Sequence, residues 1–334
     1  MQASTWHRLQ SPNGINYLNI GLMLASTVLA FLLPFELFLF SYAVLGPLHY
    51  LTELSWLEKK SFFVTDKKEV WLFVILAVVV ALGSIKPDTN LNQYVGLLMM
   101  AGFLYALCML VLKKTAWRIA GVVFIVIVMQ GCKLNQFPDM WFVFFGILLP
   151  TIIHVFLFTG AFILFGALKS RSFSGLASLV VFLFCCVLFF VWKPALFYDD
   201  VSTAVRDTYR SFHIVNFAMY KLLFDANAAV SDAQFYTSAP FVAIMRFIAF
   251  AYTYHYLNWF SKTSVIKWND VSKTRMALIV VFWLLSVGLF LFDYKTGLLA
   301  LLALSLIHVL CEFPLNHITF AGIYRELRQI IRRH

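Results

Sequence analysis

Four histidines lie inside apolar stretches of the sequence: His49, His154, His255 and His308. An ionisable side chain within a bilayer costs several kcal/mol unless it has a partner or a task. Two of the four are followed one helical turn later by a carboxylate, as His49-x-x-x-Glu53 and His308-x-x-x-Glu312. The i, i+4 spacing stacks each pair on one helix face. Neutral imidazoles with a carboxylate are a ligand mix for non-haem iron, and also serve zinc. His154 and His255 would complete the nitrogen set from two further helices, as metal sites in bundle cores are built. We therefore expect one shared metal site, with His49, His154, His255 and His308 as ligands. Glu53 and Glu312 are expected as further ligands, as groups that orient the imidazoles, or as catalytic carboxylates. Iron is the preferred metal and zinc the alternative. A purely structural polar network and a bis-histidine haem stay open, although haem needs only two of the histidines.

Other residues gather around this set. Pro47 and Pro150 fall shortly before His49 and His154. Each removes a helix hydrogen bond, and the resulting kink can open a cavity beside a ligand. Tyr252, Tyr254 and Tyr256 crowd His255 as tunnel lining or as an aromatic belt, and Asn258 is a candidate hydrogen-bond partner. Arg246 lies mid-span, and its expected partner is Glu36 or Glu312. His317 is an interfacial residue or a ligand; His7 and His334 are terminal and expected in water. HExxH, GxSxG, Walker and dinucleotide-glycine patterns are absent, as are the dense HxxxH and HxxHH clusters of membrane desaturases.

The elements that position these groups are membrane helices. The chain is 62% hydrophobic and 13% charged, a balance outside the soluble globular range. Its apolar runs are continuous rather than alternating, which selects helices over a barrel. The expected fold is an all-α polytopic integral membrane bundle forming one domain over residues 1–334. Ten spans are read: Tyr17–Leu33, Phe35–Leu57, Val70–Ile85, Tyr94–Leu112, Ile119–Leu134, Met140–Leu168, Leu176–Trp192, Pro240–Phe260, Met276–Phe292 and Leu298–Phe313. Gln130 and Lys133 shorten the fifth.

The net charge of +10 is no nucleic-acid signature, because the basic residues sit in short loops. The N-terminus, the loops after even-numbered spans and the C-terminal tail carry 18 of the 26 Lys and Arg residues. The positive-inside rule then puts both termini in the cytoplasm, in a multi-pass protein of a bacterial inner membrane. Spans 2, 6, 8 and 10, which hold the four histidines, would all run inward. Residues 193–239 form an extracytoplasmic insertion, within which Val205–Phe224 reads as an interfacial helix bearing His213. The five cysteines lack CxxC spacing and read as small buried hydrophobes. No cleaved signal peptide is expected.

Two stretches resemble the Brp/Blh family of membrane β-carotene 15,15′-dioxygenases. Gly46-Pro47-Leu48-His49-Tyr50-Leu51-Thr52-Glu53 is similar to that family's early Gly-x-x-His-Gly-x-x-Asp motif. Tyr252-Thr253-Tyr254-His255-Tyr256-Leu257-Asn258-Trp259 is similar to its late aromatic helix bearing His-x-x-x-His. The resemblance implies a helical membrane enzyme with histidine-ligated iron that splits a carotenoid with O₂, His49 and His255 being ligands and His154 an intermediate one. The sequence departs from the pattern at Tyr50, Glu53 and Trp259, and His308-x-x-x-Glu312 has no place in it.

The preferred function is thus a non-haem iron oxygenase, or related oxidoreductase, acting on a hydrophobic lipid, isoprenoid or carotenoid-like substrate. Its partners would be that substrate and membrane lipids, with no nucleic acid. The alternatives are a zinc-dependent intramembrane hydrolase using Glu53 or Glu312 as general base, and a non-enzymatic transporter with a His/Glu proton relay.

Overall fold

Without water to satisfy the backbone, long apolar runs close their hydrogen bonds internally, and they do so here as helices. The computed structural model describes residues 11–64, 66–85, 90–131, 142–196, 200–224 and 230–332. Among them there is no strand. His7, His334, Cys132, Lys133 and Asp199 lie outside the described residues.

The helices in chain order are α1 (Pro12–Leu32), α2 (Pro34–Lys59), α3 (Val70–Ile85), α4 (Val95–Val111), α5 (Thr115–Gly131), α6 (Phe142–Ser170) and α7 (Phe173–Val191). The insertion follows as α8 (Thr203–Tyr209), α9 (His213–Phe224) and α10 (Asp232–Thr237). The chain ends in α11 (Ala239–Ser261), α12 (Lys273–Phe292) and α13 (Tyr294–Ile331). Eight of these, α1–α4, α6, α7, α12 and α13, are long and apolar enough to cross a membrane. The other two expected spans are also helical. In α5 the apolar part, Thr115–Ile127, is shorter than the eight. α11 is long enough, but Arg246, three tyrosines, His255 and Asn258 lower its hydropathy.

That polarity has a packing reason. α11 is buried along nearly all its length, wrapped by α1, α2, α6, α7, α9 and α10. It faces protein, so polar groups that would be costly in lipid find partners. α13 is a second hub, packed on α2, α3, α4, α6 and α12. α2 and α6 each pack on both hubs, so the four histidine-bearing helices surround one interior volume.

The last helix corrects the reading that ended at Phe313. α13 is a 38-residue helix that continues through Pro314. The proline is buried and the segment beyond it packs on α6, where Gly322 lies against the Phe165 ring, so tertiary contact carries the helix past its local breaker. Pro47 and Pro150 sit beside or within widened turns of their helices. π-wound turns occupy Ser41–Leu45, just before Pro47, and Phe142–Phe158, which contains Pro150. Such wide turns absorb a missing N–H and frequently mark functional sites.

Candidate metal centre

His49 on α2, His154 on α6, His255 on α11 and His308 on α13 converge, with one ligand atom from each lying within 4.8 Å of the others. All four are buried. Two Nε2–Nε2 contacts close the set, His49 to His255 and His154 to His308, each at 3.1 Å. With metal–nitrogen bonds near 2.0–2.1 Å, neighbouring ligand nitrogens stand about 3.4 Å apart in a tetrahedron and about 2.9 Å apart in an octahedron. The two 3.1 Å contacts lie between these, and the whole set falls within 4.8 Å. The rings meet edge-on, with interplanar angles of 64–82° around the ring of four.

Three of the four imidazoles have a polar neighbour on the side away from the centre, and His49 does not. His308 Nδ1 lies 2.5 Å from the Ser305 carbonyl. A carbonyl only accepts, so Nδ1 carries the hydrogen and Nε2 presents its lone pair to the centre. His255 Nδ1 lies 2.8 Å from Thr159 Oγ1. Glu312 Oε2 lies 3.2 Å from His154 Nδ1, a charge contact rather than an aligned hydrogen bond. Glu53 Oε2 lies 2.9 Å from His49 Nε2, the nitrogen that faces the centre. Both carboxylates are therefore at the site, against different histidines, but outside the set of four converging nitrogens.

The residues fit a divalent cation on two counts. Four buried imidazoles turn nitrogens toward one another, and the inward lone pair of His308 needs an acceptor there. Two buried carboxylates also lie within electrostatic reach of each other, and among the described residues no Lys or Arg pairs with either. A divalent ion would balance both charges.

The site opens on one side. His154, His255 and His308 line a cavity of about 540 Å³. Its walls come from α2, α3, α4, α6, α11 and α13, and from the insertion through Phe212 and Val215. Tyr42, Tyr50, Tyr252 and Tyr256 project into it near the histidines. Neither Glu53 nor Glu312 lines it.

Several expected residues take other places. Arg246 pairs with neither Glu36 nor Glu312; its Nη1 donates to the Pro194 carbonyl at 2.9 Å and its guanidinium sits 5.2 Å from the Phe31 ring centre. Tyr254 points away from the cavity, bonding Asn19 at 3.2 Å and approaching Asn258 at 3.5 Å, so this polar group ties α11 to α1. His317 bonds the Phe103 carbonyl, apart from the cluster. Trp259 donates to Thr52 Oγ1 at 3.0 Å and sets its ring edge-on to His49. Cys108, Cys185, Cys186 and Cys311 are free. The insertion is helical across most of Val205–Phe224, as α8 and α9 joined by a tight turn.

Three residues went unseen in the sequence. Thr159 follows His154 by five positions, which on an α-helix turns it about 140° away. The π winding up to Phe158, with its i→i+5 bonds, brings both to one face. Ser305 contributes only its backbone carbonyl to His308, and carbonyls have no sequence signal. Tyr50 stacks on His308 with centroids 4.3 Å apart, a contact between α2 and α13 that needs the tertiary fold.

No family model, curated protein or solved structure matches the chain.

Proposed function

We propose that the protein is a membrane-embedded non-haem iron oxygenase, or a related oxidoreductase, acting on a hydrophobic lipid or isoprenoid of the carotenoid kind. The observation that carries this reading is the junction of cluster and cavity: three of the four histidines form part of a wall that a substrate would touch. A cavity of about 540 Å³ is a usual size for a small-molecule site.

The four histidines would hold the ion. Ser305, Thr159 and Glu312 would fix the imidazoles behind it. Bound iron would supply O₂ activation. In the simplest balanced outcome, one carbon–carbon double bond and one O₂ become two carbonyl groups, with no external reductant. The cavity walls would orient the chain of the substrate and keep bulk water out.

The position of the carboxylates favours this over a zinc hydrolase. A general base must come within hydrogen-bond reach of the proton it takes. Glu312 stands behind His154 and Glu53 lies against His49 Nε2, and neither is on the cavity wall where a substrate would sit. For the topology, the alternation of Lys and Arg supports ten crossings, α5 and α11 included, with both termini in the cytoplasm of a bacterial inner membrane.

The test is elemental analysis of the purified protein together with incubation under O₂ with carotenoids and shorter isoprenoids, both hydrocarbon and hydroxylated. Iron near one per chain with carbonyl products supports the proposal. Zinc without O₂ uptake turns the reading to a hydrolase. Absence of any bound metal after purification without chelators removes the metalloenzyme reading.

A further inference from the structure

The cavity wall beside the histidines carries a pair of facing hydroxyls. Tyr50 Oη and Tyr256 Oη lie 3.0 Å apart. Ser305 and Tyr42 line the cavity with them, and Tyr50 is stacked on His308 while Tyr256 packs on His49. In a pair of hydroxyls only one can donate across the contact, so the other must place its proton elsewhere. The pair borders the cavity, so an oxygen placed there would take that proton.

The local backbone is shaped for this pair. A Cβ on Gly46 would stand 3.1 Å from Tyr50 Oη and 3.2 Å from Tyr256 Oη. Glycine at 46 leaves the room in which the two hydroxyls meet. Gly46 follows the π turn Ser41–Leu45, so the wide turn and the missing side chain act at one place.

We propose that the substrate carries a hydroxyl or carbonyl oxygen, and that the Tyr50–Tyr256 pair receives it beside the metal. This rests on the reading of the cavity as an isoprenoid or lipid site. A pure hydrocarbon would leave that O–H facing apolar atoms, and a site built to hydrogen-bond an oxygen rejects an analogue without one. Tyr50 and Tyr256 are thus binding residues that set which part of the substrate lies against the histidines.

The experiment compares three ligands of one skeleton: geranylgeraniol, geranylgeranial and the matching hydrocarbon. Retention on the purified protein is measured by mass spectrometry after gel filtration in detergent, with metal bound and after chelation. Wild type should hold the alcohol or the aldehyde at least about tenfold more tightly than the hydrocarbon, the equivalent of one net hydrogen bond. Tyr50→Phe and Tyr256→Phe keep both rings and should each abolish the preference while still binding the hydrocarbon. Gly46→Ala should weaken the preference by displacing both hydroxyls. The comparison is internal to each protein, so a variant that folds poorly does not decide it. Equal retention of all three by wild type overturns the proposal alone, as does a preference that survives in both phenylalanine variants. Retention of none of them overturns the isoprenoid reading and this proposal with it.

Discussion

His154 and His308 face each other through their Nε2 atoms at 3.1 Å, while His308 has committed Nδ1 to the Ser305 carbonyl. The pair is thereby fixed in direction: the His308 lone pair must point inward. The second pair, His49 and His255, repeats the 3.1 Å contact from the other hub. The geometry treats His308 as an equal member of the set. His308→Ala should therefore lower bound metal as strongly as His49→Ala, by more than the roughly 10–100-fold typical for loss of an outer partner. Elemental analysis of the four single alanine variants checks this. Full metal content in His308→Ala would reduce the site to three histidines.

The threonine behind His255 gives a sharper test, because it touches no metal position. Thr159→Val is nearly isosteric and leaves His255 Nδ1 without its 2.8 Å partner. Metal affinity should fall by roughly 10–100-fold, and Thr159→Ser should restore most of it. Titration of metal into the chelated protein reads both. Unchanged affinity in Thr159→Val would mean that the ring is held by packing alone.

The chemistry of the site was legible where residue type announces it. Four imidazoles and two carboxylates are too costly in apolar runs to stand without partners, so their presence alone points to a shared interior site. Among the described residues the expected spans fall on helices, because apolar continuity is a local property. What escaped the sequence depended on winding and on the backbone. Thr159 joins the site because a π stretch changes the angular step after His154. Ser305 joins through a carbonyl that every residue possesses. Arg246 found the Pro194 carbonyl instead of a carboxylate, since charge pairing suggests a sign but not an address. α13 outran its expected end because packing around Gly322 outweighs a proline that locally argues for a stop.

The insertion should carry its own pH dependence. His213 stacks on Phe235 with centroids 3.8 Å apart and meets Tyr236 Oη at 3.0 Å. Burial draws its pKa from the ordinary 6.5 to about 4, with Asp232 opposing the fall and Arg210 adding to it. The unfolded segment thus takes a proton near pH 6.5, whereas the docked one resists until about pH 4. The stability this ring contributes is full above 6.5 and is lost as pH falls from there toward 4. Thermal stability measured between pH 7 and 5 should decline more steeply for wild type than for His213→Phe. Parallel curves would remove His213 as the cause.

The topology is checked by paired reporters. Fusions after Lys68 and after Lys86 flank α3 and should report opposite sides of the membrane, the first cytoplasmic. A further pair, within the loop 262–272 and within α9, should likewise differ, because α11 lies between them. The same side for either pair would break the ten-crossing arrangement.

The two carboxylates stand against different histidine nitrogens, and this predicts different behaviour. Glu312 meets His154 at Nδ1, behind the ring, so its work is to hold a proton there and orient the imidazole. Glu53 meets His49 at Nε2, on the side of the ion, where its charge acts on the cation itself. Glu312→Gln keeps a polar partner for Nδ1 and should reduce metal affinity by about tenfold, at the low end of the range for outer partners. Glu53→Gln removes a negative charge beside the ion and should cost more, with a marked fall in metal occupancy. If both merely join helices, each amide would substitute at a cost on the order of 1 kcal/mol, with metal unchanged. If either were the base of a hydrolase, its variant would keep the metal and lose turnover. Metal content, thermal stability and product formation measured side by side on the two variants separate these outcomes. Normal metal and near-normal stability in both, with activity retained, would leave the carboxylates with no part in the centre.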